Sequence, residues 1–410
     1  LAVVMPMRIG SALSRETPLH LKKLELVDFR NFESAQLEFG SRFTVLHGHN
    51  GAGKSNILEA VYFVSTLRSF RGADLKTMMR RDTHAARVEL DAHDPHLDVP
   101  TRLSVRIDRG ARSTRRSARV DDKLIRSAAD FYGRVRAVLF TPEDLAVLRG
   151  SPTGRRQFLD RVLFARDRAH IGDVQAYEKL LRSRNRVLKE LYAAGDMSGR
   201  GSGGDLLGSY EAGLATYGAR IWQRRVELVE AIRPGFCAAF EQIHGPSLPA
   251  SITYRPRIEE HETSPAPQQD AYAERLAAML EGRRTEDLRR GTTSTGPHRD
   301  ELEVGLDGAL AADFASQGQT RALVLAFKIA ELRHARTRSS EGPVDATPLP
   351  QVGSAAAPLL LLDDVSSELD PGRNAQLFET LAREVGQCVL TTTDPKFIHL
   401  PGDVERRDLA

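Results

Sequence analysis

Residues 48–55 read GHNGAGKS, which fits G-x-x-x-x-G-K-[S/T]. The short apolar run FTVLHG (43–48) precedes the loop, and SNILEAVYFVSTL (55–67), with apolar residues at helical spacing, follows it. Strand, glycine-rich loop and helix in that order require an α/β layout with a phosphate cradle at the strand end. Glycines let backbone amides converge on an anion without Cβ clashes. The helix adds free N–H groups and a positive dipole end. By chance the pattern arises in roughly one chain of this length in a hundred. Gly48, His49, Asn50, Gly51, Ala52, Gly53, Lys54, Ser55 and Asn56 are therefore the candidate nucleotide-binding residues. Lys54 is placed for the β- and γ-phosphates and the Ser55 hydroxyl for Mg²⁺.

A second element makes sense only beside the first. LLLLDD (359–364) is an apolar strand ending in two carboxylates. Alone it reads better as a strand closing on a solvated Asp–Asp turn. Next to a phosphate loop, Asp363 is the candidate Mg²⁺ holder, and Asp364 the catalytic residue that orients or deprotonates attacking water. The two elements lie about 300 residues apart. A compact nucleotide domain does not need that distance. Something is inserted into it, and its two sequence halves must fold together.

The remaining chain supplies the insert. LKKLELVDFRNFESAQLEF (21–39) alternates like a hairpin with Phe29 and Phe32 near its bend. Residues 86–126 read as several short strands, and RAVLFTPEDLAVL (136–148) as strand, loop and helix. From about 152 to 240 the pattern is helical, and GDMSGRGSGGD (195–205) divides it into two long helices. Helices of about 35–40 residues would span about 50–60 Å. ETSPAPQQD (262–270) reads as a loop, and the Pro- and Ala-rich stretch 340–358 as a mobile surface loop. GQCVLTTTD (386–394) is another buried strand. The expected division is a frayed or appended end at 1–20, head halves at 21–150 and 291–410, and an inserted helical arm at 151–290.

DFASQGQTRALVLAFKIAEL (313–332) is a short turn opening an amphipathic helix. Ser316 can cap it, and Gly318 keeps the backbone accessible. Without context, an ordinary capped helix explains it.

The order of these motifs resembles the ABC-type ATPases: phosphate loop, inserted helices, S-x-G-Q helix, DD strand and SSELD (366–370). It is more similar to their SMC-like subgroup, which LELVDFRNF (24–32) also resembles. The short arm and TGPHRDEL (295–302) resemble the RecF family of recombinational-repair ATPases. The resemblance implies an ATPase head with a mixed sheet, an antiparallel β subdomain and a helical-hairpin insert. ATP would be sandwiched between two heads. Ser316, Gly318 and Gln319 would contact the γ-phosphate held by the partner's Lys54, and Asp370 would cross the interface. Arg30 would lie near the base or phosphates, and Thr393 stands where transporter ATPases carry a switch histidine. The Q-loop glutamine is missing from FTPED (140–144), with Glu143 the nearest substitute.

The same resemblance implies a slow ATPase stimulated by DNA, dimerising on ATP to clamp gaps or junctions in single- or double-stranded DNA. RecR-like and RecO-like partners and the loading of a RecA-type recombinase are implied with it. VRIDRGARSTRRSARVDDK (105–123), GRRQFLDRVLFARDRAH (154–170) and KLLRSRNRVLK (179–189) are the arginine-rich candidates for DNA phosphates. A charge run is more often a solvated face.

Two competing classes share some of these motifs: the ATP subunit of a membrane transporter, and a structural SMC-like head that barely turns over. No run approaches the ~18 apolar residues of a membrane helix, and Cys237 and Cys388 are the only cysteines. A reducing cytoplasm without membrane attachment is the expected setting.

Overall fold

The computed structural model describes residues 20–94, 99–111, 113–127, 131, 134–164, 167–196, 201–257, 269–337, 358–364, 385–398, 400, 402 and 404–409. The chain opens with the expected hairpin. Strand β1 (His20–Phe29) runs antiparallel to β2 (Phe32–Glu38), with Phe29 opposite Phe32 at the bend. After β3 (Phe43–His47), α1 (Lys54–Thr66) and the short α2 (Leu75–Met78) come four more strands. These are β4 (Ala85–Asp94), β5 (Val99–Arg109), β6 (Thr114–Val120) and β7 (Lys123–Ile125). They extend the hairpin into a six-stranded antiparallel sheet ordered β2-β1-β4-β5-β6-β7. Along β5, Leu103, Val105 and Ile107 are buried while Arg102 and Arg106 are exposed. One face therefore covers the core and the other meets water.

The second sheet is wholly parallel. It joins β3 to β8 (Ala137–Phe140), β12 (Leu359–Leu362), β13 (Cys388–Thr391) and β14 (Val404–Asp408), in the order β14-β3-β13-β12-β8. Every residue of β8, β12 and β13 is buried, as a parallel strand covered on both faces requires. The sheet thus takes strands from both ends of the chain. Gln387 ties the sheets together: its buried amide donates to the carbonyls of Leu21 and Gly40 and accepts from the Leu21 N–H.

Helices α3 (Pro142–Val147), α4 (Pro152–Phe164), α5 (Arg168–Ala193) and α6 (Gly201–His244) fill the span between β8 and β9 (Ala250–Arg255). Beyond lie α7 (Gln269–Gly282), α8 (Arg284–Arg290), β10 (Glu301–Leu306), β11 (Ala309–Leu310), α9 (Ala311–Phe314) and α10 (Gln317–Thr337). Strands β9, β10 and β11 form a small antiparallel sheet that straddles residue 290, the expected border of the arm. Residues 1–19, 262–268 and 340–357, with the expected frayed end and loops, lie outside the described residues.

The helical pair differs from the expectation of two equal helices. Its first half is two helices of 13 and 26 residues, and its second a single helix of 44. The restart falls at Asp167, whose carboxylate accepts from the Ala169 N–H and caps α5. The glycine-rich stretch divides the pair as expected, since α5 ends at Ala193, Gly195 has φ of 73° and α6 starts at Gly201. A Cβ at Gly203 would lie 2.7 Å from a methyl of Leu191, and one at Gly213 equally close to Leu180. These glycines let α6 approach α5 closely, outweighing the roughly 1 kcal/mol of lost helix propensity each. The pair is also not free-standing, because α6 packs along α10, α7 and β9 as well as α5.

TGPHRDEL is the knot at this junction. Asp300 is fully buried and accepts from the Trp222 indole, the Tyr254 hydroxyl and the Arg257 N–H. Its own carbonyl accepts from Arg156 on α4. Arg225 of α6 clasps Asp160 of α4 at 2.8–2.9 Å and donates to the Pro297 carbonyl. His298 bonds the Tyr177 hydroxyl at 2.7 Å. Four stretches of chain are therefore pinned by one loop.

Two of these groups titrate in opposite senses. Burial, helped by Arg299, Arg156 and Arg184, holds His298 down to about 4. Burial pushes Asp300 up to about 6, against the groups that donate to it. Stability from neutral His298 is present above about pH 6.5 and is lost as pH falls through 4. Stability from neutral Asp300 is complete below about pH 4 and is lost as pH rises through 6. We expect His298→Gln to remove only the first effect. Its stability deficit against the parent, read from denaturant midpoints, should shrink by about 2 kcal/mol between pH 7 and pH 4.5. A deficit that stays constant would exclude this assignment.

Candidate active site

The phosphate loop bends where β3 ends. Gly48, Gly51 and Gly53 have φ of 144°, 87° and 102°. At Gly53 the conformation is doubly enforced, since a Cβ would lie 2.4 Å from Cζ of Phe32. No side chain caps α1 at Gly53. The hairpin tip props the loop from outside: Asn31 accepts from the Asn56 amide at 2.8 Å and its own amide faces the Ala52 carbonyl at 3.4 Å.

Arg30 sits beside that prop with φ of 55°. Its guanidinium forks onto the buried Glu59 at 2.6 and 2.7 Å and donates to the Thr77 carbonyl at 2.9 Å. Glu59 lies one helical turn beyond Ser55 and also accepts from Ser69. Here Arg30 fastens the hairpin to α1, beside the phosphate loop.

Lys54 is almost fully buried and folds back on the loop, donating to the carbonyls of Gly48 at 2.7 Å and His49 at 3.0 Å. The Ser55 hydroxyl donates to Oδ1 of Asp363 at 2.7 Å, across 308 positions of sequence. The Thr391 hydroxyl donates to the same oxygen at 2.8 Å and accepts from the Asp364 N–H at 2.9 Å. Thr391 escaped the sequence reading, which took Thr393, an exposed residue two positions on. The available signal was that GQCVLTTTD is a buried strand, and the residue ending such a strand faces its neighbour's end. A serine hydroxyl against a carboxylate is a hard oxygen pair, and these donors suit Mg²⁺.

Ser316 and Gln319 form a reciprocal cap at the start of α10. The Gln319 N–H donates to the Ser316 hydroxyl at 3.2 Å, and the Ser316 N–H to the Gln319 side chain at 2.8 Å. Gly318 lies in that first turn. Beside it Phe314 is 78% exposed and Leu310 47%. Two apolar side chains standing in water next to a helix start are surface suited to a partner. Asp370 and the SSELD stretch lie outside the described residues, as does the side chain of Glu143. The neighbouring Asp144 is buried. Lys328 and Arg161 outweigh that burial and hold its carboxyl below the usual range, so it serves the packing of α3, α4 and α10.

The basic clusters separate in the structure. Arg155 forks onto Glu301, Arg161 pairs with Asp144, and Arg184 is wholly buried against Glu211 and Asp287. These three charges are engaged within the protein, while Arg182, Arg186 and Lys189 of the same runs stay exposed. On β6, by contrast, Arg115, Arg116 and Arg119 are all exposed near the sheet edge.

The sequence profile of the RecF/RecN/SMC N terminal domain matches residues 20–401. The DNA replication and repair protein RecF of Anaeromyxobacter sp. (strain Fw109-5) is 40% identical over 385 residues, covering 93% of this chain and 94% of the relative. The protein of that name in Myxococcus xanthus (strain DK1622) is 38% identical over 380 residues, 93% and 92% of the two chains. A solved structure of the recombination mediator protein RecF-ATPrS in the RecFOR pathway superposes with a TM-score of 0.81 at 26% identity, covering 96% of this chain and 97% of that one. The corresponding RecF-ATP structure gives 0.79 at the same identity. Among the described residues no helix is long and apolar enough to cross a membrane.

Proposed function

The chain belongs to the RecF family of the RecF/RecN/SMC N terminal domain proteins, and from that premise we propose that it is an ATPase of DNA repair that closes as a dimer on ATP and clamps DNA. One observation carries the reading: the bond between Ser55 and Asp363, which brings the phosphate loop and the acid-ended strand into one site. Lys54 exchanges the loop carbonyls for phosphate oxygens. Ser55 and Asp363 would hold Mg²⁺, which neutralises phosphate charge. Asp364, fixed by Thr391, orients or deprotonates the attacking water.

The Ser316 turn belongs to the same chemistry in a second copy. It presents a helix N-terminus for an anion, and exposed Phe314 and Leu310 supply apolar contact for the approaching head. Hydrolysis then serves as a timer for opening, and an isolated subunit turns over slowly. Gapped or junction DNA, RecR-like and RecO-like partners, loading of a RecA-type recombinase and a cytoplasmic setting complete the proposal. Residues 151–290 are the arm that carries part of this assembly.

The test is DNA binding with ATP at two salt concentrations. Backbone recognition through several phosphates predicts a loss of about 10³-fold or more between 50 and 200 mM salt. Arg115→Glu with Arg116→Glu should weaken binding at least about tenfold and flatten that slope. An affinity that ignores both salt and substitutions would remove DNA from β6.

A further inference from the structure

Beside α8 the surface forms a half-open cavity of about 380 Å³ whose described lining side chains are all polar. Arg257, Arg283, Arg290 and Arg299 line it, with Glu286 as the only carboxylate among the described lining residues. Glu286 is already shared, lying 2.7 Å from Arg290 and 3.9 Å from Arg283. Arg299 donates to the Thr293 carbonyl and touches no carboxylate among the described residues. The Arg257 guanidinium has no partner among them. The buried Ser294 hydroxyl, in the same lining, also lacks a hydrogen-bond partner among the described residues. None of these residues belongs to the phosphate loop or the acid-ended strand.

Four guanidiniums beside one carboxylate leave an excess of positive charge that favours an anion between them. Guanidinium forks match tetrahedral oxyanions in a bidentate way, and an unused hydroxyl adds one more donor. The lining has no aromatic or aliphatic anchor of the kind that dominates peptide docking. Its volume lies near the lower end, roughly 300 Å³, of small-molecule pockets. We propose that this cavity is a second phosphate site, which takes the phosphate groups of a free polyphosphate or of a nucleic-acid backbone independently of the ATPase site.

The test uses the full chain carrying Lys54→Ala, so that the phosphate loop is out of play. Inorganic triphosphate and a 20-base-pair duplex are titrated separately by calorimetry, and poly-glutamate serves as a carboxylate control. Arg257→Glu, at an exposed side chain, and separately Arg290→Gln should each weaken phosphate binding at least about tenfold. Thermal melting checks that each variant is folded. Loss of triphosphate binding identifies a free polyphosphate as the source, and loss of duplex binding alone identifies the backbone; either supports the site. Phosphate binding that is already absent in the Lys54→Ala chain, or that is unmoved in both variants, overturns it, as does a dependence on these arginines seen only with poly-glutamate. ATP turnover of the Arg257→Glu chain with Lys54 intact should match the parent, so a failure here is separable from a failure of the ATPase reading.

Discussion

Asp364→Asn should lose about 10²–10⁴ of ATP turnover while the protein still folds and binds ATP. The substitution is nearly isosteric, and its backbone setting is permissive. Asp364 has φ of 46°, a left-handed conformation that asparagine adopts as readily as aspartate. Its N–H bond to Thr391 does not involve the carboxylate and survives. Asp363, bound by Ser55 and Thr391, is untouched. Only the capacity to accept a proton from water is removed. With hydrolysis blocked, a head that closes on ATP has no route back, so the dimer should accumulate. Phosphate release and light scattering on the same sample, with and without ATP, measure both effects. Turnover and dimer lifetime that both match the parent would place Asp364 outside the chemistry and favour a structural head.

The legible parts of this site were those in which a short segment fixes its own geometry. GHNGAGKS needs positive φ at its glycines, and LLLLDD closes a run of four leucines on two carboxylates. Their meeting through Ser55 and Asp363 followed from two motifs that make sense only together. Long-range pairing was not legible in the same way. The end of a buried strand marks Thr391 locally, but not which carboxylate-bearing positions it holds, because Asp364 is 27 residues upstream. That Gly203 and Gly213 make room for Leu191 and Leu180 was not legible either, because composition cannot distinguish a missing side chain that frees the backbone from one that admits a neighbour. Arginines carry the same ambiguity. Arg115 and Arg184 both stand in basic runs, yet one is exposed on a strand and the other is fully buried. What distinguishes them is an acid far away in sequence.

Arg184 carries the second large effect. Its side chain is fully buried and donates to Glu211 on α6, to Asp287 on α8, to the Thr293 hydroxyl and to the Leu280 carbonyl. It therefore joins α5 to α6, α7, α8 and the loop that follows α8. Removing it leaves Asp287, itself fully buried, with only the Ser294 N–H among the bonds described here. Glu211 fares better, because Arg284 forks onto it at 2.5–3.0 Å. Breaking one partner of a buried ionic cluster costs about 3–5 kcal/mol, mostly through the charge left behind. Arg184→Met, which keeps much of the volume, should lower stability by that amount in denaturant titration. Adding Asp287→Asn should recover part of the loss, because the orphaned charge is then gone. If the single variant loses less than about 1 kcal/mol, or the second substitution only deepens the loss, the helical region is held by its apolar contacts and not by this cluster.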